Sequence, residues 1–170
     1  MSTVQYKNQP GIDKSKGAIP LAGNSYVYTV TKLLWPPDVE KFIEEELLIG
    51  KSLHVCCGKS RIGDILLDLH EPEVHVTSDA ARLPFVSNSF ETVFSDPPYN
   101  GKFQWNHDLL SELARVANKR FILQHWFSPV NKNGFFKKDH HWILTGLYAW
   151  MPKTYFGRMQ IISVFDRIEE

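Results

Sequence analysis

Through the middle of this sequence, short apolar runs end on a glycine or an acid, and segments of helical spacing separate some of them. Leu53-His54-Val55-Cys56-Cys57-Gly58 reads as a buried strand entering a loop, because the run is short and stops at a glycine. Residues 64–68 and 73–77 read as two further short strands, 89–95 (SFETVFS) as another, and 121–127 as one more. Pro36-Pro37-Asp38 opens a helix in which Val39, Phe42, Ile43 and Leu47 fall near helical spacing, acids crowd the first turns, and Gly50 stops the run. Asn106 caps a second helix through about Ala117, with Leu109, Leu110, Leu113 and Val116 on one side. Residues 142–150 and 158–165 read as a terminal strand pair turning around Pro152 and Gly157, and 26–30 has strand propensity or packs as an irregular lead-in. Strands alternating with helices, then a hairpin-like end, indicate an α/β sheet.

The 170 residues give room for one domain, expected over 21–170. Residues 1–20, rich in Lys, Gly, Pro, Asn and Ser, read as a flexible arm. No apolar run approaches the roughly 18–20 residues of a membrane span, and the polar N-terminus lacks a signal peptide's apolar stretch. The two cysteines, Cys56 and Cys57, are adjacent and unsuited to pairing, so a reducing cytoplasm is the expected location. Histidines and cysteines show no metal-ligand spacing, and no metal is expected. With 19 basic and 19 acidic side chains, the chain lacks the positive excess that holds a duplex unaided. It remains compatible with a nucleobase substrate reached with help from a partner.

Asp96-Pro97-Pro98-Tyr99 follows the SFETVFS strand directly. An aromatic amine is a poor nucleophile because its lone pair is delocalised into the ring. Acceptors that take both of its N–H groups draw the nitrogen toward tetrahedral geometry and localise that pair. The Asp96 carboxylate and the Pro97 carbonyl can serve, the two prolines stiffen the turn and remove competing donors, and Tyr99 offers a face for stacking worth about 1–3 kcal/mol. Such a site works by positioning and polarising. The same four residues also suit an ordinary strand-to-turn corner.

Upstream lie Asp79-Ala80-Ala81-Arg82-Leu83-Pro84-Phe85 and the strand–loop 53–60. In this order the parts resemble the class I S-adenosylmethionine-dependent methyltransferases, specifically the DPPY-bearing amino-methyltransferases of DNA and RNA, over about residues 36–127. The resemblance implies a three-layer Rossmann-like domain, a mainly parallel sheet with an antiparallel C-terminal strand, and S-adenosylmethionine as cofactor. It implies that the loop after the first strand meets the cofactor's methionine part, that an acid ending the second strand holds the ribose, and that an acid before Leu-Pro-Phe meets the adenine. The cofactor residues are then His54, Cys56, Cys57, Gly58, Ser60, Asp68, Asp79, Ala80, Leu83 and Asp96, and the catalytic ones Asp96, Pro97, Pro98 and Tyr99.

Two departures stand out. Family loops read as an acid followed by G-x-G-x-G, whereas His54 takes the acid's place and only Gly58 keeps a glycine position. Cys56 and Ser60 are small enough for close backbone approach. Asp68 also lies only ten positions after Gly58, too few for a full helix and a strand. Either 61–70 is the first helix and Asp79 ends the next strand, or the helix is nearly lost and Asp68 ends the second strand, leaving Asp79 for the adenine. The second arrangement is preferred.

Asn100, Lys102, Trp126, Lys137 and Lys138 are the substrate-binding candidates, with Trp105, Phe127, Lys132, His140 and His141 nearby. Lys7, Lys14 and Lys16 form a second basic group, although such groups are often only solvated loops. The cysteines read as small apolar fillers. The expected reaction is methyl transfer to an exocyclic amino group of a base, with DNA adenine N6 or cytosine N4 leading and RNA adenine N6 or guanine N2 the alternative. The base would be flipped or unpaired. About 70 residues follow the motif, so no separate target-recognition domain is expected, and specificity would come from a protein partner, a homodimer or RNA shape. A non-catalytic binding subunit of the same fold is the rival from a different class.

Overall fold

The computed structural model describes residues 18–21, 25–28, 32–34, 38–98, 107–125, 141–150 and 159–168. Strands β1 (Ala18–Leu21) and β2 (Ser25–Tyr28) form an antiparallel pair of their own. Ala18, Ile19 and Pro20 therefore belong to a strand rather than to the arm expected over 1–20. Strand β3 (Lys32–Leu34), not anticipated from the sequence, joins the main sheet.

That sheet has eight strands in the order β3-β9-β10-β8-β7-β4-β5-β6. The remaining strands are β4 (Ser52–Val55), β5 (Ile65–Asp68), β6 (Val76–Thr77), β7 (Phe90–Ser95), β8 (Ala117–His125), β9 (Trp142–Trp150) and β10 (Gln160–Arg167). Strands β4 to β8 pair in parallel, and β10 runs antiparallel to both β8 and β9. The sheet is thus mainly parallel with an antiparallel C-terminal strand.

Helix α1 (Asp38–Phe42) continues into a wide π turn, Ile43–Leu47, closed by the Leu48 amide on the Ile43 carbonyl at 3.0 Å. Gly50, at φ +58°, ends the run. Val39, Phe42, Ile43 and Leu47 pack on Phe94, Ile122, Ile162 and Val164. Helix α2 (His107–Val116) places Leu109, Leu110, Leu113 and Val116 against Leu53, Val55, Val93, Phe121 and Leu123. Successive strand residues point to opposite faces, so Phe94 and Ile122 belong to the α1 face while Val93, Phe121 and Leu123 belong to the α2 face. Two apolar clusters, one on each side of the sheet, make the three layers. No helix among the described residues is long and apolar enough to cross a membrane.

Candidate active site

Because β4 to β8 are parallel, their carboxyl ends share one edge. The chain builds outward from β4 through β5 to β6, then returns to place β7 on the other side of β4. Open α/β sheets bind ligands outside the carboxyl ends at such a reversal. Here the reversal brings the loop after β4 beside Asp96, which follows β7.

The loop after β4 is pinned on both sides. The Asp96 amide donates to the Val55 carbonyl at 3.4 Å, and the Cys57 amide to the Leu67 carbonyl at 3.2 Å. Asp68 ends β5, with no helix between the two strands, so the second of the two sequence arrangements is the observed one. Its Oδ2 accepts from the Gly58 amide at 3.0 Å, and its Oδ1 from the amides of His70 and Glu71 at 2.8 and 3.1 Å. Burial works against the charged form, but these N–H donors outweigh it and hold the carboxyl below its usual range.

Cys56 adopts φ +58° and Gly58 φ +51°. Cys56 therefore holds a left-handed conformation with a Cβ present, at a backbone strain of about 1–2 kcal/mol. A Cβ on Gly58 would meet nothing within 4 Å, so the loop borders open space at this residue. Burial first, then the charges of Asp68 and Asp96, push the Cys56 thiol up to about 12. Burial likewise raises Cys57. Both stay protonated and unreactive at neutral pH.

Asp79 follows β6, is exposed, and accepts the Ala81 amide on Oδ1 at 2.9 Å; Ala80 and Leu83 are buried behind it. Two side chains of α2 fix this segment, and the sequence reading missed both. Glu112 accepts the Leu83 amide at 2.7 Å, while Arg115 donates to the Leu83 and Phe85 carbonyls and pairs with Glu112. Their i, i+3 spacing on a helix was the available signal.

Asp96 is half-buried, Pro97 buried and Pro98 exposed. Asp96 lines a trough of about 420 Å³ beneath α1, together with His54, Cys57, Ser60, Gln124 and Trp150, a volume in the range of small-ligand sites. His54 is 2% exposed and tilts against the Phe94 ring at 4.4 Å. Burial pulls its imidazole down to about 4, so it is neutral at pH 7. Nδ1 lies 3.3 Å from the Ile62 carbonyl and therefore carries the proton, which leaves Nε2 as an acceptor without a partner among the described residues. The Ser60 hydroxyl and the Trp150 indole nitrogen, both on the same trough, are buried and likewise lack one.

The structure thus gathers His54, Cys57, Ser60 and Asp96 on one cavity, sets Cys56 and Gly58 in the loop beside Asp68, and leaves Asp79 on the neighbouring strand end. Tyr99, Asn100, Lys102, Trp105, Asn106, Trp126, Phe127, Lys132, Lys137, Lys138, His140 and the lysines at 7, 14 and 16 lie outside the described residues. Gln124 and Trp150 were not anticipated. They close β8 and β9, and only the topology shows that those strand ends reach the site.

Solved structures share this architecture. A SAM-dependent methyltransferase of Thermotoga maritima matches at a TM-score of 0.52 and 13% identity, over 76% of this chain and 87% of that one. The fold is the Rossmann-like methyltransferase fold. The 1,6-didemethyltoxoflavin N1-methyltransferase of Burkholderia thailandensis matches at 0.50 and 12% identity, over 69% and 71% of the two chains; its structure holds S-adenosylhomocysteine. Geranyl diphosphate C-methyltransferase of Streptomyces coelicolor matches at 0.51 and 13%, over 76% of each. No family model and no curated protein matches the sequence.

Proposed function

We propose that this chain transfers the methyl group of S-adenosylmethionine to an exocyclic amino group of a nucleobase, with DNA adenine N6 or cytosine N4 the leading targets. The observation that carries this reading is Asp96-Pro97 at the carboxyl end of β7, bonded to β4 across the sheet's reversal point and beside a loop with open space at Gly58. The residues present suit the cofactor: the loop 56–60 for its methionine part, Asp68 for the ribose hydroxyls, and Asp79 with Ala80 and Leu83 for the adenine. When bound, the cofactor supplies an electrophilic methyl group on sulfur. Asp96, with the Pro97 carbonyl, accepts the amine's N–H groups, localises the nitrogen lone pair and fixes its direction of attack. The clamp of Glu112 and Arg115 keeps the Asp79 segment at the edge. In sequence, Lys102, Trp126, Lys137 and Lys138 follow β7 and β8, residue types suited to phosphates and unpaired bases.

Labelled-methyl assays on single-stranded DNA, duplex DNA and RNA test the reading, beside calorimetry with S-adenosylhomocysteine. Asp96→Ala is expected to lower turnover by about 100-fold or more while leaving that affinity within a few-fold. Transfer to a small amine with none to any nucleic acid would overturn the nucleobase assignment.

A further inference from the structure

The trough beneath α1 has two ends. Cys57 and Ser60 lie at the β4 loop, toward Asp68. Gln124 and Trp150 lie at the carboxyl ends of β8 and β9, on the far side of Asp96 from Asp68 and Asp79. If the cofactor spans the ends of β4, β5 and β6, the acceptor must approach Asp96 from the β8–β9 side, because in-line transfer puts nucleophile and leaving sulfur on opposite sides of the methyl. At that end the Trp150 indole N–H is a buried donor with no acceptor among the described residues. Such a group costs about 1–3 kcal/mol unless something completes it. An indole nitrogen donates only, so whatever completes it carries a lone pair.

We propose that Trp150 determines the class of acceptor: its indole N–H donates to the ring nitrogen next to the amine that Asp96 holds. The inference rests on the reading of Asp96 given above. Adenine and cytosine each carry an acceptor ring nitrogen beside the exocyclic amino group, N1 and N3 respectively. An alkylamine or an aniline offers the amine without that neighbour. Asp96 and Trp150 together then read the donor–acceptor edge of an amino-heteroaromatic ring, as base edges are read elsewhere. A trough of about 420 Å³ roofed by α1 takes one such ring rather than a paired duplex, so the base enters unpaired or flipped.

The test removes each half of the contact separately. Short single-stranded oligonucleotides carry one central adenine or 1-deazaadenine, or cytosine or 3-deazacytosine. Their affinities are measured with S-adenosylhomocysteine present, for the native chain and for Trp150→Phe, which keeps an aromatic ring but loses the N–H. For the methylated base, the native chain is expected to bind the deaza form about five- to tenfold more weakly, the value of one hydrogen bond. Trp150→Phe should bind both forms at that weaker level and keep its affinity for S-adenosylhomocysteine. A role in packing alone would instead lower the unfolding midpoint and leave the deaza penalty in place, which overturns the proposal. So would an equal loss of S-adenosylhomocysteine affinity, because the far end would then serve the cofactor. Should Trp150→Phe fail to fold, the native indole N–H resonance serves in its place: adenine or cytosine must shift it, and the matching deaza base must not. Failure to methylate any nucleic acid strikes at the Asp96 reading. Methylation with an unchanged deaza penalty strikes at Trp150 alone.

Discussion

The two halves of the parallel sheet are held in different ways. Between β7 and β8 the chain makes a helical crossover, and α2 seals its face with Leu109, Leu110, Leu113 and Val116, each at most 3% exposed. Between β4 and β5 it crosses in nine residues, Cys56 to Asp64, and between β5 and β6 in seven, Leu69 to His75, without a helix in either. Parallel neighbours usually need a dozen or more residues for this. Polar bonds take the place of the missing helices. Asp64 accepts the Ser52 amide and hydroxyl, Asp68 accepts three amides, and Arg61 joins Glu73 to the carbonyls of Gly58 and Ser60. Both halves share the α2 core through Leu53, Val55 and Leu67, but the short crossovers of β4 to β6 depend in addition on the ionisation of single side chains, and the proposed cofactor loop belongs to them.

If that contrast holds, the halves fail under different insults. Leu113→Ala opens a cavity under a fully buried side chain and is expected to cost about 2–5 kcal/mol at any pH between 5 and 8, read by urea unfolding. Acid acts on the other half. The His54 imidazole, on β4, falls from 6.5 to about 4 through burial, so the unfolded chain takes up its proton first. Its contribution is present in full above about pH 6.5 and is lost as pH falls toward 4, on the order of 3 kcal/mol in all. The Asp64 carboxyl, held low by Ser52, and that of Asp68 add their share at lower pH. His54→Phe should flatten the slope between pH 6.5 and 4. An unchanged slope in that variant would remove His54 as the cause.

Much of this division was legible in the sequence. Asp68 follows Gly58 too closely for a helix and a strand, and β5 ends on Asp68 as that spacing preferred. Apolar spacing likewise marked α1 and α2, because a 3.6-residue stripe buries only one way. Elsewhere local signals failed for physical reasons. Lys32–Leu34 carries no alternation and forms β3 only because β9 offers an edge. The strand expected over 73–77 shrinks to Val76–Thr77, since part of the short crossover must turn first. Helix α2 passes into β8 at Ala117 without a loop, where the strand was expected to begin at 121. Trp150 shows the deeper limit: nothing near it in the chain distinguishes it from a packing tryptophan, and its proposed role comes only from lining one trough with Asp96, 54 positions earlier.

The smallest expected effect on stability bears most directly on the proposed cofactor loop. Gly58→Ala adds one methyl where φ is +51° and nothing lies within 4 Å. No clash arises, and alanine keeps the N–H that binds Asp68, so only left-handed backbone strain remains, about 1 kcal/mol. Cys56 already bears such strain two residues earlier. The same methyl, however, occupies open space on the loop proposed to hold the cofactor. S-adenosylhomocysteine affinity is therefore expected to fall about tenfold or more, while the unfolding midpoint moves by only a few degrees. Calorimetry and thermal unfolding on one sample separate the two. A loss of stability with affinity intact would mean that the cofactor does not run along this loop, and the polar half of the sheet would need another reason for holding its strand ends so closely.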